Sequence, residues 1–236
     1  MIDFHSHILP GIDDGSKDVN MSLKMIHALQ EQGVDTVCAT SHFYATQRSP
    51  SHFLERRQEA WDILSARLPE DAPEILLGAE VLYFPGISRM EELPDLCLEG
   101  TNILLLEMPF DSWSDYYIRE VTELANSRAF TILMAHIERY YNRQPRKVWD
   151  AFLEMDILMQ SNADFFLRKD SLLSFHPRAK ALKLLKEGRI HLLGTDTHNM
   201  SSRPPRMAEA REKIRDELGE RVLHRIDRLG EELLEG

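Results

Sequence analysis

Ile2-Asp3-Phe4-His5-Ser6-His7 and, much later, Ile190-His191-Leu192-Leu193-Gly194-Thr195-Asp196-Thr197-His198 share one design. Each is a short aliphatic run that ends on imidazole or carboxylate side chains two residues apart. Residues i and i+2 of a strand point to the same face, about 6–7 Å apart, so each pair can address one cation. A lone His-x-His is weak evidence, because histidines also end strands for packing reasons. The segments between these two runs decide the matter.

Short β-branched or aliphatic runs recur at Ile2–His7, Thr36–Thr40, Glu74–Gly78, Ile103–Leu106, Phe130–Ala135, Ile157–Gln160 and Ile190–Leu193, each followed by a helical pattern. About seven βα units of this kind predict an α/β fold with a parallel sheet and helices outside. Met21, Met25 and Leu29 form one apolar stripe, Met207, Ala210, Ile214 and Leu218 another, and Val222, Ile226, Leu229 and Leu233 a last one. Ser16 or Asp18 can cap the first helix and Gly33 can close it. With no repeat or linker in 236 residues, a single domain over 1–236 is expected. Periodicity leaves a closed barrel and an open doubly wound sheet both available.

The polar residues separate them. The second run leads to His42, the third to Glu80, the fourth to Glu107 and the fifth to His136. In a barrel the C-terminal strand ends converge on one mouth, and so many buried imidazoles and carboxylates are satisfied together most cheaply by cations. The expected ligands are His5, His7, Asp14, His42, Glu80, Glu107, His136, Asp196 and His198, too many for one ion and suited to two or three, with Glu80 as a bridge. Donors of N and O without thiolate suit Mn2+, Fe or Zn, with Co also admitted, better than Ca or Mg. Asp14 sits in the loop Ile12-Asp13-Asp14-Gly15, where either aspartate could instead build the turn.

Arg139 follows His136 by three residues and Arg203 follows His198 by five, so both guanidiniums should overhang the same mouth, where a planar fork holds phosphate oxygens. Each could equally form a surface ion pair. Four carboxylates and three divalent ions leave the pocket at about +2, although 28 basic against 39 acidic residues make the whole chain −11. That global charge argues against nucleic acid or an anionic membrane as partner. No apolar run approaches the ~20 residues of a membrane span, which excludes direct membrane insertion. Cys38 and Cys97 form no C-x-x-C, fit a reducing cytoplasm, and are followed at the arginine position of a C-x5-R phosphatase by Tyr44 and Ile103. No G-x-S-x-G or P-loop is present. Covalent Cys or Ser catalysis is therefore not expected, and the arginines together with a metal cluster point to a phosphate ester.

The stretches Met1–Gly15, Thr40-Ser41-His42, Gly78-Ala79-Glu80, Glu107-Met108-Pro109-Phe110, Ala135–Tyr140, Asp196–Asn199 and Arg203-Pro204-Pro205 resemble the polymerase and histidinol phosphatase (PHP) superfamily. The similarity is strongest to its bacterial manganese-dependent tyrosine-protein phosphatases of capsule and exopolysaccharide synthesis. It implies a distorted TIM-like barrel of seven βα units and a trinuclear centre on the nine residues named above. It also implies phosphate-binding roles for Arg139 and Arg203, and as substrate the phosphotyrosine tail of a membrane-associated autokinase. His42 or Asp14 would assist the leaving group, and a homo-oligomer is compatible with the pattern. Phe43 stands where many relatives carry a second polar or basic residue, and Ser161-Asn162 differs from the small polar pair of some relatives.

Three other readings compete: a histidinol-phosphatase or other small-ester PHP enzyme, an amidohydrolase, and a non-enzymatic metal-stabilised scaffold. Outside the ligand set, His27 and His224 fall within helices, His52 and His176 near helix starts and His191 at a strand start, so packing or surface roles are expected. The aromatic segment Met108–Tyr117 either offers a surface for a phenol ring to stack on or pins its loop to the next helix.

Overall fold

The computed structural model describes residues 1–141, 143–169 and 177–235. Nine strand segments run as β1 (Ile2–Ser6), β2 (Thr36–Ala39), β3 (His42–Phe43), β4 (Glu74–Leu77), β5 (Glu80–Leu82), β6 (Ile103–Glu107), β7 (Thr131–Met134), β8 (Leu158–Asn162) and β9 (Leu192–Gly194). They pair entirely in parallel, in the orders β1-β2-β4 and β3-β5-β6-β7-β8-β9. The helices are α1 (Val19–Glu31), α2 (Pro50–Ser65), α3 (Asp115–Asn126), α4 (Arg146–Leu153), α5 (Pro177–Lys186), α6 (Met207–Leu218) and α7 (Glu220–Glu235).

This is the expected alternation, curled into an α/β fold. The sheet bends where the second and third runs break. His42 and Glu80 do not end their strands, as the sequence suggested, but begin the short segments β3 and β5 after Thr40-Ser41 and Gly78-Ala79. Gly78 permits the break, since a Cβ there would meet Leu98 Cδ2 at 2.6 Å. Amides bridge the gap, with Gly78 N–H donating to Ala39 O and Glu80 N–H to Ser41 O, each at 3.0 Å. At the far side a parallel bridge joins Ser6 to Thr197, and Asp196 N–H donates to His5 O at 2.7 Å.

Local chemistry sets the helices. Asp18, not Ser16, caps α1 by accepting from Met21 N–H at 2.9 Å, and Gly33 follows the helix at φ +80°. Ser16 instead donates to Asp18 O at 2.9 Å. Along β6, Leu104 and Leu106 face the main core, whereas Ile103 and Leu105 join a smaller cluster with Cys38, Leu133 and Leu192. Leu229 and Leu233 of α7 pack on that cluster, and the same i+2 row of β6 continues to Glu107. Phe43, one residue beyond His42, turns the other way into the core against Phe53, at 5.4 Å between rings. Its apolar character therefore belongs to packing. No helix among the described residues is long and apolar enough to cross a membrane.

Candidate metal centre

All nine predicted ligands meet at one end of the sheet. Three overlapping groups could hold a cation: His5, His7 and Asp196; His7, Asp14, His42 and His198; and His42, Glu80 and Glu107. His136 lies outside those groups but adjoins them, its Nε2 2.7 Å from Glu80 Oε1 and 3.4 Å from Glu107 Oε1. Glu80 is fully buried and central, its carboxylate also 3.2 Å from His5, 3.3 Å from His7 and 2.8 Å from His42.

Several donors reach the centre from beyond strand ends. β9 stops at Gly194, so Asp196 and His198 lie on the following loop, not on a strand as expected. The loop still aims both inward because Asp196 takes the left-handed conformation, φ +52°. His136 does the same after β7, at φ +32°. Neither residue is glycine, and such conformations cost of order 1 kcal/mol and gather where function dictates geometry. Close backbone approach does the remaining positioning: a Cβ on Gly194 would lie 2.5 Å from His5 Cβ, and one on Gly15 2.4 Å from His7 Cβ.

The histidine tautomers are fixed from behind. His7 Nδ1–H donates to Asp13 Oδ2 at 2.9 Å, and His5 Nδ1–H to Gln160 Oε1 at 3.2 Å. Their Nε2 atoms are left facing each other at 3.1 Å. Two lone pairs at that separation repel unless a cation or proton lies between them. His42 Nδ1 and Glu80 Oε2 approach without hydrogen-bond alignment, and His198 Nε2 is buried with no hydrogen-bond partner. Orphaned buried donors of this kind fit a divalent ion.

Charge has the same imprint. Burial opposes ionisation of Glu80 and Asp196, but the neighbouring His5 overcomes it and holds both well below the usual carboxylate range. Burial likewise opposes charge on His136 and His42, yet the neighbouring carboxylates of Glu107 and Glu80 for the first, and of Asp14 and Glu80 for the second, raise each to about 9. His198 goes the other way, to about 4, through burial and the charge of His7.

The two adjacent aspartates divide their work. The Asp13 side chain is buried and builds the turn by accepting from Gly15 N–H at 2.9 Å, while its other oxygen accepts from His7 and the His42 amide. Asp14 is mostly exposed and points Oδ1 at His42 Nε2, 3.4 Å away, and His198 Nε2, 3.5 Å away. Arg139 and Arg203 converge on Asp196 Oδ2, Arg203 at 2.6 Å. They line a cavity of about 430 Å3 beside the ligands, as expected for overhanging guanidiniums.

Sequence reasoning passed over the residues behind the ligands. Gln160 Oε1 accepts from His136 N–H at 2.7 Å, Asn162 Nδ2 donates to Asp196 Oδ2 at 2.7 Å, and Asp3 accepts from Thr195 N–H at 2.7 Å. Gln160 and Asn162 lie at the end of β8, in the neutral polar run Gln160-Ser161-Asn162. The aromatic segment divides into a pinned part and an exposed one. Trp113 is buried against Tyr140 and Phe152 and pins the loop, whereas Phe110 is exposed, its ring 6.5 Å from His136 and nearly parallel to it. His27, His52 and His224 are exposed on helices, and His191 accepts from Met159 N–H away from the centre. His176 lies outside the described residues. Cys38 and Cys97 are free, and burial pushes both thiols up, Cys97 to about 12, the opposite of a nucleophile.

Known proteins resemble this chain in sequence and fold. The chain is 30% identical over 229 residues to the tyrosine-protein phosphatase CpsB of Streptococcus agalactiae serotype III, covering 89% of this chain and 88% of that one. It is 30% identical over 242 residues to the tyrosine-protein phosphatase YwqE of Bacillus subtilis, covering 99% and 91%. Its fold superposes with a TM-score of 0.84 and 26% identity, over 100% of this chain and 94% of the other, on a structure from a crystallographic study of YwqE and Streptococcus pneumoniae CpsB, described there as unique metal-dependent tyrosine phosphatases. The profile of the capsular polysaccharide synthesis family CpsB/CapC spans residues 1–232, and the chain belongs to that family.

Proposed function

We propose that this protein is a metal-dependent protein-tyrosine phosphatase of one domain, residues 1–236, acting in the cytoplasm on the phosphotyrosine tail of a membrane-associated autokinase in capsule or exopolysaccharide synthesis. The similarity to CpsB and YwqE supports the reaction. The strand pairing supports a distorted (β/α)7 barrel, if β2 with β3 and β4 with β5 are each counted as one broken stave. The observation that carries the reading is the pair of Nε2 atoms of His5 and His7, 3.1 Å apart with their proton-bearing nitrogens committed elsewhere.

Two or three ions, Mn2+ by preference, would be held by His5, His7, Asp14, His42, Glu80, Glu107, His136, Asp196 and His198. When bound they supply Lewis acidity and bring water ionisation near neutral pH. Arg139 and Arg203 bind the phosphoryl oxygens and neutralise charge that spreads over them during transfer. Asn162 holds the Asp196 oxygen that both arginines share, so the forks keep their aim. Phe110 offers the tyrosyl ring a surface. Phenolate leaves readily for an alkoxide, with a pKa near ~10, so modest proton delivery from the His42–Asp14 pair at the rim suffices.

The test is a panel of phosphotyrosine peptide, p-nitrophenyl phosphate, histidinol phosphate and other small esters, run on wild type and Arg139→Ala. Tyrosine-type esters should be preferred, and the variant should lose turnover about 10²–10³-fold with its metal content unchanged. Preference for the small amine ester would replace the reading by a histidinol-phosphatase. Metal-replete protein inert toward every ester would leave a scaffold.

A further inference from the structure

The cavity beside Asp196 holds more positive charge than one phosphoryl group requires. Its wall carries four guanidiniums, Arg139, Arg168, Arg203 and Arg206, against two carboxylates, Asp164 and Asp196, in a chain whose net charge is −11. Arg139 and Arg203 are engaged with Asp196 at the metal centre. The other two come from elsewhere. Arg168 follows the tight turn Ala163–Leu167, Arg206 immediately precedes α6, and that turn packs against α6.

Neither of these two arginines is consumed by its present contacts. Arg168 meets Asp164 only at 3.4 Å, with its side chain 63% exposed, while its guanidinium lies 5.2 Å from the centre of the Phe165 ring. Arg206 reaches Glu209 one turn along α6, and its side chain is 43% exposed. Exposed pairs of this type contribute about 0–1 kcal/mol and exchange readily for a better anion. The intervening wall is pre-formed: Asn199 Oδ1 accepts from Ser201 N–H at 2.9 Å and Ser202 N–H at 2.8 Å, which holds the loop leading to Arg203. At about 430 Å3 the cavity is of a size that binds a side chain as well as the phosphoryl group.

We propose that Arg168 and Arg206 form a second anion subsite, which takes an acidic group flanking the phosphotyrosine in the substrate chain. This rests on the phosphatase reading for the first subsite. A carboxylate side chain and a second phosphate share the chemistry that two exposed guanidiniums recognise, and peptides distinguish them.

Non-hydrolysable phosphonate analogues of three peptides are titrated at low salt by fluorescence anisotropy into the metal-loaded enzyme and its R168A/R206A variant. One peptide has neutral neighbours, one has Glu on both sides of the phosphotyrosine mimic, and one carries a second phosphonate. The acidic peptide should bind wild type about 3–10-fold more tightly than the neutral one, and the variant should abolish that ratio. Binding of the neutral peptide and turnover of p-nitrophenyl phosphate should stay at wild-type levels in the variant. A doubly charged peptide that exceeds the Glu peptide and loses its advantage in the variant assigns the subsite to phosphate; equality assigns it to carboxylate. Equal binding of all three peptides to wild type, or a ratio that survives in the variant, overturns the subsite. Flank-dependent binding without hydrolysis of any ester would sink the phosphatase reading and leave the subsite standing.

Discussion

Replacing Asp13 with asparagine changes one buried oxygen to an NH2 group at a point where three donors converge. Oδ2 accepts from His7 Nδ1–H and His42 N–H, and Oδ1 from Gly15 N–H, each at 2.9 Å. The amide nitrogen must therefore face at least one donor. Turned toward Gly15 it orphans a backbone N–H, at about 1–3 kcal/mol; turned toward His7 it forces that ring's proton onto the nitrogen aimed at His5. Groups that orient a ligating histidine are typically worth about 10–100-fold in metal affinity, or about 1.4–2.7 kcal/mol. Calorimetric titration of Mn2+ into chelator-stripped Asp13→Asn should show that weakening. Asp14→Asn, altered at an exposed carboxylate beside His42 and His198, should lose bound ions with little change in unfolding midpoint. An Asp13→Asn variant that binds Mn2+ as tightly as wild type would refute the argument that His7 is held in place from behind.

Two further outcomes follow from the same geometry. His42 and His136 stand at about 9 against an ordinary 6.5, so their ion pairs add stability that is fully present below about 6.5 and lost as pH rises through about 9. Ion uptake needs the same lone pairs, so Mn2+ affinity should climb across that window by about tenfold per pH unit for each proton displaced, and calorimetry in buffers of different ionisation enthalpy counts those protons. A flat profile would contradict it. Phe110→Ala should lower kcat/KM for aryl phosphates about 3–10-fold relative to alkyl phosphates, the scale of one stacked ring, with metal content unaltered; an equal loss on both ester types would assign Phe110 to loop structure.

Apart from Asp14, which sits in a loop, the candidate ligands were legible because each is a polar residue beside an apolar run, a contrast that survives errors in the strand boundaries. The path of the backbone to those ligands was not. His136 and Asp196 adopt left-handed conformations that their residue types do not announce, and the break before Glu80 follows Gly78, where Leu98 leaves no room for a Cβ. Asp13 and Asp14 are chemically identical in the sequence; burial alone separates the buttress from the candidate ligand. Gln160 and Asn162 went unread as supports because neutral amides carry no signature of a metal site until their partners are seen.

Asp196 N–H reaching His5 O ties the first strand to a loop near residue 200. A ribosome therefore releases His5, His7 and His42 long before their counterparts exist, and the growing polypeptide can only hold a cation loosely. The candidate groups that include Asp196 or His198 await the emergence of those residues, so a product truncated ahead of them would keep only the group of His42, Glu80 and Glu107 intact.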